Sequence, residues 1–256
     1  MDLALTGKRA VVTGASKGIG LGVARALAAE GVHVTIVSRT AARIEAEAAA
    51  IRSEFGVSAT AFTADLSNSA EQQRLADHLR AEGLDIVVNN AGAIPGGSIT
   101  DVDEDTWRKA WDLKVFGYIN LTRQLLPHLE SQGSGVILNV IGAAADRPSP
   151  GYLAGAIGNS GLVAMSKALG SNSKQKGVRV LAVNPGLIIT DRMSDLLRQQ
   201  ADVKWGDSSR WEELIPEDPA PGTVEQVADV VTFLVSDRAS HVSGVVLTID
   251  GGASSR

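Results

Sequence analysis

The chain has 256 residues, with 24 Lys plus Arg against 29 Asp plus Glu and a formal net charge of −5; the length suits one large α/β domain or two small ones, and the mild acidity argues against a nucleic-acid or anionic-membrane surface. No cysteine is present, which excludes disulfides, thiol catalysis and Cys-ligated metal. The four histidines (His33, His78, His128 and His241) lack metal-ligand spacing and are read as structural or exposed, so no metal is expected.

The opening residues, MDLALTGKRAVVTGAS, contain neither a long apolar run nor a cleavage site of signal-peptide type, and no apolar window reaches eighteen residues. The expectation is a cytoplasmic protein without a membrane span. Residues 9–13 (RAVVT) read as a first strand and 19–30 as the helix after it. Strand 33–38 (HVTIVS) leads to helix 41–55, and the weaker, more alternating strand 58–64 (SATAFTA) to helix 71–82. Strand 85–89 (DIVVN) precedes one long helix over 104–129. Strand 135–140 (GVILNV) precedes a helix around 152–171, and strands 179–183 (RVLAV) and 245–249 (VVLTI) complete the set. Helix 224–236 opens with Thr223-Val-Glu-Gln226, a capping-box pattern.

Most of these strands lack polar alternation, as expected of parallel strands buried on both faces. The strand-helix rhythm predicts a single Rossmann-type domain over 1–256, an α/β fold with a doubly wound, seven-stranded parallel sheet and helices on both faces. No repeat or linker interrupts it. Residues 190–222 break the rhythm: the segment is polar, carries Trp205 and Trp211, and ends in PEDPAPG. It reads as a helical flap beyond a strand end, where ligands bind in such sheets.

Thr13-Gly-Ala-Ser-Lys-Gly-Ile-Gly20 lies between the first strand and the first helix. Gly14 permits the tight turn, Gly18 admits a pyrophosphate close to the backbone, and Gly20 lets helix and strand pack closely. The helix N-terminus then faces phosphate charge, with Ser16, Lys17 and Ile19 in the same loop. Alone, such a turn is equally an ordinary strand-helix connection; the strand before it and the helix after it supply the context a dinucleotide site needs.

With Asp65-Leu66, Asn89-Asn-Ala-Gly92, Pro185-Gly186 followed by Thr190, and Asp250-Gly-Gly252 in this order, the chain resembles the short-chain dehydrogenase/reductase family over nearly its whole length. The resemblance implies NAD(P)-dependent reduction of carbonyls or oxidation of alcohols, a small-molecule substrate, and a homotetramer or homodimer. It implies an adenine contact at Asp65 and Leu66, a dinucleotide wall at Asn90, Ala91 and Gly92, and a nicotinamide wall at Pro185, Gly186, Ile188 and Thr190. Cofactor choice is readable at the end of the second strand. NAD-binding relatives of this fold place a carboxylate there for the ribose hydroxyls; this chain has Ser38-Arg39, with Lys17 adding a second positive charge. Cations suit a 2′-phosphate, so NADP(H) is expected in preference to NAD(H). The bland alternative is a pair of solvated surface cations.

The family's chemistry uses a Tyr as general acid or base, a Lys four residues later, a Ser thirteen residues before the Tyr, and an Asn in the preceding long helix. A phenol with a free pKa near 10 needs a positive charge close by to move protons at neutral pH. Aligned without gaps, those positions hold Gly155, Asn159, Gly142 and Lys114. A rival register puts Tyr152 at the tyrosine, Asn139 at the serine and Ala156 at the lysine, and still supplies no Lys.

In the gapless register Tyr152, Gly155 and Asn159 share a helix face if the helix starts by Gly151. Tyr152 then leans over the bare Gly155, and with Lys114 makes a candidate catalytic pair, while Asn159 is a candidate for the ribose and the reacting centre. In the bland reading Tyr152 packs in its loop and Lys114 makes an ordinary ion pair. The small residues Gly151, Gly155, Gly158 and Gly161 suit a close helix contact between subunits. Two functions stay open: an NADP(H)-dependent oxidoreductase with a rearranged site, or a dinucleotide-binding homologue without catalysis that acts as a sensor or partner subunit.

Overall fold

Valine, isoleucine and alanine fill the central strands because both faces of the sheet are covered. In β1 (Arg9–Thr13), Ala10 and Val12 pack into one hydrophobic core while Val11 packs into another on the opposite face. The computed structural model describes residues 1–255, apart from the side chains of residues 192 and 199. Its seven strands are β1, β2 (His33–Ser38), β3 (Ala59–Thr63), β4 (Ile86–Asn89), β5 (Gly135–Val140), β6 (Val178–Pro185) and β7 (Val246–Ile249). They form one sheet in the order β3-β2-β1-β4-β5-β6-β7, and every neighbouring pair is parallel. The order reverses between β1 and β4, which opens a crevice at the carboxyl ends of these strands.

Helices α1 (Gly18–Ala29), α2 (Ala41–Phe55) and α3 (Ser69–Glu82) fall where the sequence pattern places them. The long helix expected over 104–129 is broken: α4 (Glu104–Trp111) passes through a π-turn (Asp112–Phe116) into α5 (Gly117–Gln132). A π-turn inserts one residue into the helical repeat, and such insertions recur at functional sites. Here it carries Lys114. Helix α6 (Leu153–Asn172) begins one residue after Tyr152 rather than by Gly151. A side chain at Gly158 would meet Val115 Cγ2 at 2.9 Å and Trp111 Nε1 at 3.3 Å. That glycine therefore serves the contact between α6 and the π-turn within the chain, not a subunit contact.

The flap has two helical pieces, α7 (Asp191–Trp205) and a 3-10 helix (Ser208–Leu214). They lock together reciprocally: Arg210 of the second stacks 4.4 Å from the Trp205 ring centre, and Arg198 of the first 5.1 Å from that of Trp211. At the base, Gly222 N–H donates to Leu187 O (2.9 Å), so the insertion leaves and rejoins the fold at one place. Helix α8 (Val224–Val235) opens on the expected capping box: Gln226 N–H donates to Thr223 Oγ1 (3.3 Å), and the Gln226 side chain accepts from Thr223 N–H (2.9 Å).

Candidate active site

The turn after β1 packs tightly against the end of β4. Gly14 has φ +65°, and a Cβ there would approach Ala91 Cα to 2.8 Å; one on Gly20 would approach Gly14 O to 2.5 Å. Thr13 and Asn90 stitch the two strand ends together. Thr13 Oγ1 accepts from Asn90 N–H (2.9 Å) and Ala91 N–H (3.0 Å), and Asn90 Nδ2 donates to Thr13 O (3.0 Å) and Gly14 O (3.2 Å). The Asn90 amide is thus engaged in holding the turn.

Above this turn lies a cavity of about 470 Å³. Gly14, Ser16, Lys17, Gly18 and Ile19 form its floor, Ser38 and Arg39 one end, and Leu66, Asn90, Ala91, Gly92 and Thr190 the remaining walls. Gly20, expected at the cofactor, does not line this cavity and packs against Gly14 and Asn90. Asp65 faces an adjoining cavity, shared with Arg39. Partial burial raises the Asp65 pKa, but hydrogen bonds from the N–H and hydroxyl of Ser67 and the charge of Arg39 outweigh this and hold it below the usual carboxylate range. The sequence reading missed Asp191 and Asp195, which also line this cavity. Asp191 lies 3.7 Å from Lys17 Nζ, so this cation has a partner in the chain. A helix N-cap at Thr190 was the available signal, because an acid in the next position suits the first turn.

A second cavity of about 560 Å³ joins the first through Ile19, Asn90, Gly92 and Thr190. It brings together Lys114, Gly142, Tyr152, Asn159, Pro185, Gly186 and Ile188, which come from five different parts of the chain. Gly155 is buried beneath Tyr152. A Cβ on Gly155 would fall 1.9 Å from Tyr152 Cε1 and 2.2 Å from Cζ, so the phenol ring occupies the space a side chain at 155 would need. Of the rival register only Tyr152 reaches this cavity; Asn139 and Ala156 lie elsewhere. Asn139 is fully buried in β5, accepting from Asn89 Nδ2 (2.9 Å) and donating to Ser166 Oγ (2.9 Å), and Ala156 is 3% exposed in α6.

Gly142 has φ +139°, a backbone region that disfavours a serine, and its carbonyl accepts from Asn159 Nδ2 at 3.3 Å. Asn159 is 2% exposed, and its Oδ1 is buried with no hydrogen-bond partner. Lys114 Nζ donates to Ile141 O (2.6 Å), and its stem packs against Gly92. The cavity wall therefore presents a phenol, an ammonium and an orphaned amide oxygen. That set can move a proton to or from a substrate oxygen, stabilise negative charge, and accept a hydrogen bond from a hydroxyl. A dinucleotide fits these residues: Gly14 and Gly20 leave the bare cradle, and Asn159 Oδ1 lacks the donor that a ribose hydroxyl supplies. Among the described residues no group of three or more His, Asp or Glu could hold a metal, and no helix is long and apolar enough to cross a membrane.

Comparison with known proteins agrees with this fold. The profile of a family described as enoyl-(acyl carrier protein) reductase matches residues 14–254. Dehydrogenase/reductase SDR family member 4 of Oryctolagus cuniculus is 33% identical, covering 98% of this chain and 95% of its own. The 2,3-dihydro-2,3-dihydroxybenzoate dehydrogenase of Bacillus subtilis is 30% identical, covering 97% of both chains. L-sorbose reductase of Gluconobacter frateurii, solved with NADPH and L-sorbose, superposes with a TM-score of 0.92 at 28% identity over 100% of both chains.

Proposed function

We propose, on the premise that the chain belongs to the short-chain dehydrogenase/reductase family, that it is an NADP(H)-preferring oxidoreductase acting on a small carbonyl or alcohol substrate through a rebuilt site. One observation carries the reading: the Tyr152 ring lies on the bare Gly155, where the family's tyrosine would project. A phenol is thus returned to the cavity from three residues upstream. When bound, the cofactor supplies or accepts the hydride. Gly14, Ser16, Lys17 and Gly18 hold its phosphates, Pro185, Gly186, Ile188 and Thr190 flank its nicotinamide, and Asn159 Oδ1 takes a ribose hydroxyl. Tyr152 gives a proton to the substrate oxygen in reduction and takes it back in oxidation, and Lys114 supplies the positive charge on the same wall.

The test is NADPH oxidation followed against a panel of ketones and aldehydes, with NADPH binding measured in parallel. Binding without turnover on any carbonyl would favour the other reading, a dinucleotide sensor or partner subunit.

Preference for the phosphorylated cofactor rests on Arg39 and Ser38 at the end of β2, where no carboxylate stands. L-sorbose reductase, solved with NADPH, is a parallel. Arg39→Asp is expected to cost NADPH binding about 1.5–3 kcal/mol and to abolish its advantage over NADH. Equal affinities for both cofactors in the unaltered protein, measured by calorimetry, would defeat the claim.

A homotetramer or homodimer is expected as well. Helix α6 leaves Ile157 49% exposed and Phe116 of the π-turn 49% exposed, and a side chain at Gly161 would meet nothing. Apolar groups on the outside of these helices favour a partner helix. A monomer by light scattering at micromolar concentration would sink this expectation.

A further inference from the structure

We infer that the substrate carries a carboxylate, held by Arg147 on the wall of the Tyr152 cavity; this rests on the oxidoreductase reading of that cavity. Arg147 shares the wall with Tyr152, Lys114 and Asn159. It follows the single 3-10 turn (Ala143–Ala145) that leaves Gly142, and its N–H donates to Ala143 O (3.0 Å). The turn is tied down at the residue before: Asp146 Oδ2 accepts from Asn184 Nδ2 of β6 (2.8 Å) and from Thr248 Oγ1 of β7 (2.8 Å). The guanidinium is then fixed at one corner, where Nη1 donates to Ala253 O (2.8 Å).

Charge on that wall is unbalanced. Among the described residues lining it, Asp250 is the single carboxylate, and its oxygens accept from Gly252 N–H (2.9 Å) and Ser254 N–H (2.7 Å). Arg147 makes no ion pair among the described residues; the other basic wall residue, Lys114, donates to Ile141 O. A guanidinium with one corner anchored keeps further N–H donors in a rigid plane, a shape matched by a carboxylate and wasted on a neutral ketone. Arg147 is exposed, but anchoring one corner of its fork removes part of the rotamer entropy that an unanchored arginine would lose on binding.

The experiment compares 4-oxopentanoate and 6-oxoheptanoate, each against its methyl ester, as substrates for NADPH oxidation, with the fluorescence of protein-bound NADPH read in the same mixtures. The expected result is an acid preferred over its ester about tenfold in kcat/KM, the preference residing in KM. Arg147→Gln brings the acid down to the level of its ester, and Arg147→Lys restores part of the difference. Acid and ester handled alike, or a preference surviving in Arg147→Gln, overturns the inference. If no compound turns over, the oxidoreductase reading fails separately. In that case an acid-dependent change in NADPH fluorescence that Arg147→Gln removes still upholds the carboxylate site, and the lack of any such change overturns it too.

Discussion

Tyr152→Phe is expected to lower turnover by roughly 10²–10⁴-fold, the range typical of a lost general acid, while NADPH affinity changes little. The chain has only two tyrosines. Tyr118 is 1% exposed and donates its hydroxyl to Val140 O (2.9 Å), so it is committed to the core. Tyr152 is the phenol on the cavity wall. Lys114→Ala is expected to remove most of the activity as well, because it takes the ammonium from the same wall. Gly155→Ala separates position from presence: its Cβ would fall 1.9 Å from Tyr152 Cε1, so the ring must leave its place although the phenol remains in the protein. Turnover of Gly155→Ala measured beside Tyr152→Phe distinguishes the cases: equal losses mean that the position of the phenol matters as much as its presence. A brisk enzyme indifferent to Tyr152→Phe and Lys114→Ala would show that other groups do the chemistry.

Arg179→Ala is expected to destabilise the fold by about 3–5 kcal/mol, the scale of losing a buried hydrogen-bond network. Arg179 is 6% exposed on β6. Its Nη1 donates to Leu234 O (2.7 Å) and, at longer range, to Val242 O (3.3 Å), and its Nη2 donates to Ser236 O (3.0 Å). Burial lowers its pKa and the charge of Asp237 opposes this, yet an arginine stays protonated at any ordinary pH. One side chain thus closes the C-terminal end of α8 and the chain beyond it against the sheet. Truncation leaves buried carbonyls without donors, each costing about 1–3 kcal/mol, and the losses share one site and do not simply add. Arg179→Lys keeps the charge, but a single ammonium cannot span the separate carbonyls, so only part of the loss is recovered. Urea unfolding of both variants measures this. A loss below about 1 kcal/mol in Arg179→Ala would show that water or backbone shifts replace these bonds.

The strands, the Gly-rich turn and the family were legible in the sequence because their causes are local. Uninterrupted runs such as AVV in β1 announce burial on both faces, and a Thr with a Gln three residues on announces the start of α8. The break at Asp112–Phe116 was not legible. Trp111 and Val115 lie against the bare Gly158 of α6, a contact made across more than forty residues of chain that no helix propensity encodes. Lys17 read as a cation for phosphate; only the fold brought Asp191 to within 3.7 Å of it.

The residues around Tyr152 divide in the same way. Counting residues named Gly142, Gly155 and Asn159 as the altered positions, since spacing along a strand and a helix is a property of the chain alone. Counting could not say where the Tyr152 ring points, because that residue precedes α6 with φ −148° and ψ 41°, outside the helical region. Its ring direction is set by a bare Cα at 155 and by the loop tied through Gly97 N–H to Gly151 O (2.7 Å). The sequence by itself determined the sheet and the Gly-rich turn after β1. The tertiary structure decided that the Tyr152 ring covers the bare Gly155, because steric room is a relation between distant segments and exists only once they have packed.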